Sequence, residues 1–115
     1  MAEFLFVIWE GEAVANSETR RAQAMETMGA YVMDLLGKGK LKGGAPLYPV
    51  SQAVTATKKR GKPVVVDGPF LETKDVIGGY FLIEADSLEE AAELAKACPA
   101  ADYGAVEVRG CIPMG

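Results

Sequence analysis

The stretch EFLFVIW, Glu3 to Trp9, places six apolar residues in a row near the start of the chain. In an extended backbone Phe4, Phe6 and Ile8 point to one side while Leu5, Val7 and Trp9 point to the other, so both faces of this strand demand burial. A second segment behaves alike. In GGYFLI, Gly78 to Ile83, Tyr80 and Leu82 alternate with Phe81 and Ile83, and Glu84 extends the first row. Two strands that are apolar on both sides belong in the middle of a sheet, and the remaining segments have to supply its edges and cover.

Those segments can be read outward from the two strands. From about Ser17 to Leu36, Met25, Met28, Val32 and Leu35 or Leu36 recur at helical spacing, with Asn16 or Ser17 as the cap and Gly37 as the stop. GKGKLKGG lacks the glycine and Lys-Ser/Thr order of a phosphate loop and reads as a helix exit. LKGGAPLYPV, broken by Gly43, Gly44, Pro46 and Pro49, suits an irregular edge strand. AVTATKK pairs with KPVVV in a hairpin turning at Arg60 and Gly61. Ser87 with Glu90 forms a capping box opening a helix to about Ala97, whose inward side is Leu88, Ala91, Ala92 and Ala95. A last strand from about Gly104 to Arg109 turns Val106 and Val108 to one face and Glu107 and Arg109 to the other.

The order matches a ferredoxin-like α+β fold, βαββαβ with an extra β-hairpin, in a single domain spanning residues 1–115. That topology puts the first and third core strands in the centre, where the two doubly apolar segments are needed. Two helices cover only one face of a four-stranded sheet. The other face is expected to pack on a second copy, giving a homodimer in the form of a dimeric α+β barrel.

Composition narrows the function. A net charge of −4 and a pI of about 4.8 argue against direct nucleic-acid binding, although Lys58, Lys59, Arg60 and Lys62 cluster at the hairpin turn. The N-terminus carries an early glutamate, lacks a basic segment and reaches charged residues too soon for a signal peptide or membrane span, so a cytoplasmic protein with reduced thiols is expected. Two cysteines and no histidine leave no basis for structural zinc, and neither metal nor cofactor is expected.

Between the hairpin and the second central strand stands DGPFLETKD, Asp67 to Asp75. Asp67-Gly68-Pro69-Phe70, then Glu72-Thr73-Lys74, then Gly78-Gly79-Tyr80 resemble the YCII-related family, in particular its DGPF branch, with Asp75 in place of the usual Glu and Phe81 in place of Tyr. The resemblance extends to ADSLEEA and YGAVEVR and covers nearly the whole chain. It implies a ferredoxin-like domain that dimerises into an α+β barrel, and a neighbourhood of extracytoplasmic-function sigma factors. A His-Asp dyad has been proposed for the related YCII branch. Asp67 would be its aspartate, but the histidine is absent, so the dyad does not carry over.

The candidate site residues follow from these readings. Asp67 either caps its turn or stands at the mouth of a cleft between paired sheets as a base or hydrogen-bond acceptor. Glu72 and Lys74 can form an ion pair or touch a ligand there, and Phe70 is read as a core plug. Tyr80 and Trp9 offer aromatic walls, and Arg109 either holds an anionic group or pairs with Glu107. Cys98 reads as a small buried hydrophobe. The leading expectation is a small metabolite bound in the dimer's cleft. The alternatives are a metal-free, histidine-free enzyme with Asp67 as base and Lys74 stabilising an enolate, and a partner of a sigma factor that makes contact through the basic hairpin tip.

Overall fold

A computed structural model describes residues 2–114. Its strands are β1 (Ala2–Glu10), β2 (Leu41–Pro46), β3 (Val54–Lys59), β4 (Lys62–Asp67), β5 (Val76–Ala85) and β6 (Gly104–Gly110), and its helices are α1 (Glu12–Ala15), α2 (Glu18–Gly37) and α3 (Leu88–Lys96). The main sheet runs β2-β5-β1-β6 and is antiparallel throughout, while β3 and β4 form a separate two-stranded ribbon. This is the ferredoxin-like arrangement with an added hairpin, and the two doubly apolar segments are its central strands.

Alternation decides which row goes where. Phe4, Phe6 and Ile8 of β1 and Phe81, Ile83 and Ala85 of β5 are buried beneath α2 and α3. Burying an aromatic or aliphatic side chain of this size contributes roughly 1.5–3 kcal/mol, so this row carries much of the core. Ser17 caps α2 by accepting from the Arg20 amide at 3.2 Å, and the helix runs one residue beyond the expected end to include Gly37. Leu35 is fully buried. So is nearly all of Tyr31, whose hydroxyl donates to the Leu94 carbonyl at 2.7 Å and ties α2 to α3.

The Ser87 hydroxyl accepts from the Glu90 amide at 3.1 Å, as the capping box requires. The Glu90 carboxylate turns to the Asp86 amide and to Lys40, 2.8 Å away, and the Lys40 hydrogen bond holds its carboxyl below the usual range. The inner side of α3 is narrower than expected. Ala91 and Ala95 are buried, but Leu88 is 55% exposed and Ala92 is exposed as well. An Ala91/Ala95 row lets the backbone lie close to the sheet, and a helix that close leaves the flanking positions in solvent. Directly after β1 the chain closes into the short helix α1, with Val14 buried.

The hairpin turns at Arg60 (φ 53°) and Gly61 (φ 78°), both left-handed, which gives the primed turn whose twist matches its strands. It stands off from the body. Val54 and Val65 on one of its faces are 64% and 68% exposed, and Phe70 just beyond it is 77% exposed, so Phe70 is not the core plug expected. The radius of gyration is 15.7 Å, against about 13 Å for a compact domain of this length. Among the described residues no helix is long and apolar enough to cross a membrane.

Candidate functional site

A half-open pocket lies on the helical side of the sheet. Where α2 crosses β1 and β5, a cavity of about 420 Å³ opens between Ile8 and Phe81 below and Met25, Met28, Val32 and Met33 above. Its wall is almost wholly apolar except at one end, where Glu10, Arg21 and Tyr103 meet.

Glu10 follows Phe4, Phe6 and Ile8 in the inward row of β1 and is 8% exposed. A carboxylate drawn that far out of water needs a counter-charge. Arg21, early in α2, supplies it: Nε donates to Oε2 at 3.0 Å and Nη2 to Oε1 at 3.2 Å, a two-pronged contact. Nη2 also donates to the Leu47 carbonyl at 2.8 Å, anchoring the segment that leaves β2. The opposite strand makes room for the pair. The β1–β5 register shifts between Ile8 and Trp9, and a Cβ at Gly78 would fall on the Glu10 carboxylate, so Gly78 leaves the space that Glu10 fills, while Gly79 faces the β2 backbone at Ala45 and Pro46. Burial first, then the neighbouring Cys98 and Glu10, pushes the Tyr103 phenol upward, so its hydroxyl stays protonated at neutral pH.

The residues expected from sequence are scattered. Asp67 ends β4 opposite Val54, exposed, and its carboxylate makes no hydrogen bond among the described residues; the turn is tied instead by Gly68 N to Ala53 O and by the Thr55 hydroxyl to Gly68 O. Glu72 and Lys74 are exposed in the following loop and form no ion pair among the described residues, because that loop is bent rather than extended. Lys74 and Trp9 do come together, in a shallow open groove with Thr73, Asp75, Tyr103 and Glu107. There the Trp9 indole donates to Glu107 at 3.1 Å, taking the acid that Arg109 was expected to pair with.

Tyr80 lies across from Val7 and borders the cavity, and Arg109 lies across from Leu5 on the uncovered face. Asp67, Glu72 and Arg109 line neither hollow. Glu10 and Arg21 were missed. The signal was there in Glu10, an acid at the inward parity of an otherwise apolar row.

Fold and cavity together define a ferredoxin-like α+β domain built around a small, mostly apolar chamber with one buried ion pair. The chain belongs to the YCII-related family, whose domain it matches over residues 4–115. It is 34% identical over 102 residues to an uncharacterised protein of Rhizobium meliloti (strain 1021), covering 87% of this chain and 82% of that one. It is also similar to the solved structure of 5-chloro-2-hydroxyhydroquinone dehydrochlorinase from Burkholderia phenoliruptrix AC1100 in complex with 2,5-dihydroxybenzoquinone, with a TM-score of 0.57 over 98% of this chain and 95% of that one. At 21% identity that likeness speaks for the fold alone.

Proposed function

We propose that this protein binds a small metabolite in the chamber under α2 and works as a homodimer. The observation that carries this reading is the chamber itself. Its 420 Å³ falls within the roughly 300–1,000 Å³ of small-molecule sites, and it combines apolar walls with a few converging polar groups. Three methionines make the lining adaptable. The similar dehydrochlorinase structure holds 2,5-dihydroxybenzoquinone, a compound that a space of this volume would also accommodate. The site differs from the cleft between paired sheets anticipated from sequence, since it lies within one chain on the helical side.

Gly29 provides the test. It sits mid-helix in α2, where glycine costs about 1 kcal/mol relative to alanine, and borders the chamber with nothing within 4 Å of where a Cβ would stand. Gly29→Leu is expected to keep or raise the melting temperature while removing the stabilisation that ligands found by thermal-shift screening confer on the parent. A variant that responds to those ligands like the parent would overturn this placement.

The dimer rests on a different face. Leu5, Val7, Trp9 and Leu82 are only half-buried with no helix over them, and Ile77 and Tyr80 beside them are 43% and 40% exposed. An isolated two-stranded ribbon is marginal in water, so the projecting hairpin also needs a neighbour. A second copy offers both an apolar sheet face and an apolar hairpin face. Light scattering is expected to give about twice 12.2 kDa for the parent and the single-chain mass for Val7→Asp, whose charge would lie at the centre of the joint face. A parent of single-chain mass at micromolar concentration would refute the dimer.

A further inference from the structure

We propose that the chamber selects by charge, accepting neutral ring-sized compounds that carry a hydroxyl and refusing the corresponding carboxylates. The inference rests on the chamber being a binding site. Arg21 by itself would attract anions, but its charge is already matched by Glu10 through two hydrogen bonds at 3.0 and 3.2 Å. The polar end of the chamber therefore carries no net charge.

A carboxylate entering it would give up its hydration to meet Glu10 as well as Arg21, in surroundings where like charges repel strongly. A hydroxyl fits better, because it can donate to one partner and accept from the other. The pair leaves capacity for both. Of the five Arg21 N–H groups, the two on Nη1 make no hydrogen bond among the described residues, and each Glu10 oxygen accepts only one hydrogen bond from Arg21, leaving a further acceptor site. Glu10 thus does more than anchor Arg21. It removes the anion selectivity that a lone buried arginine would impose.

The test uses matched probes, para-propylphenol and para-propylbenzoate, displacing the neutral dye Nile red from the full-length protein at pH 7. The phenol, un-ionised at this pH, is expected to bind at least about tenfold more tightly than the benzoate. In Glu10→Gln, which keeps the shape and frees the Arg21 charge, the order is expected to reverse. Circular dichroism confirms that the variant is folded; if it is not, the comparison on the parent protein decides.

Benzoate binding as tight as phenol, or a preference unchanged in Glu10→Gln, would overturn the charge selection while leaving the chamber as a site. If the dye and both probes fail to bind the folded parent, the chamber reading itself falls and this inference with it.

Discussion

Arg21→Met is expected to cost about 3–5 kcal/mol of stability, because it leaves the Glu10 carboxylate buried with its counter-charge gone. The guanidinium side chain is only 15% exposed and that of Glu10 10%, so water does little to screen the loss. The Leu47 carbonyl also loses its donor, which loosens the exit from β2. The companion measurement is Glu10→Leu with Arg21→Met. Removing both charges and filling the space with apolar atoms is expected to recover most of the loss, since a buried pair contributes little beyond what well-packed hydrocarbon would. Urea unfolding of the two single variants and the double, at one fixed protein concentration, gives the coupling between them. Simple additivity would mean that the two residues do not act as a pair.

Gly104→Ala is the second large effect. Gly104 opens β6 opposite Glu10, and a Cβ there would overlap the Trp9 carbonyl oxygen and press on the Glu10 Cα. These are backbone atoms of a central strand, which cannot yield without disturbing the β1–β6 pairing. A loss of about 3 kcal/mol, the upper part of the overpacking range, follows. For a chain of this length that lowers the melting temperature by roughly 10 °C. Gly110→Ala, at the other end of the same strand, is the control. Its Cβ would stand 3.6 Å from the Phe4 ring, an ordinary contact, so its melting point is expected to stay near that of the parent.

The frame of the molecule was legible because strand and cap signals are local. The alternation of Phe4 to Trp9 and of Tyr80 to Ile83, the Arg60-Gly61 turn, and the serines at 17 and 87 each act within a few residues, and each appears where expected. The inward face of α3 was only half legible. Ala91 and Ala95 were right, but Leu88 and Ala92 depend on how the helix is rotated, and the close approach of its backbone to the sheet settles that.

The candidate site was the least legible part. Asp67, Glu72 and Lys74 were read together as neighbours along the chain, and in the single chain they are exposed at the hairpin base and in the following loop. The chamber instead joins Glu10 at the end of a strand to Arg21 in a helix, through a crossing that no local pattern encodes. Tyr103 marks the same difficulty, since it borders both the chamber and the outer groove only because β6 returns beside β1.

The hairpin gathers Lys58, Lys59, Arg60 and Lys62 at its far tip, well away from the body of a chain whose net charge is −4. Positive charge at the end of an outstretched ribbon and negative charge behind it give the molecule a pronounced electric dipole moment. Such an object arrives at another chain, or at any acidic surface, already turned tip-first, and added salt slows that approach by shortening the reach of the field.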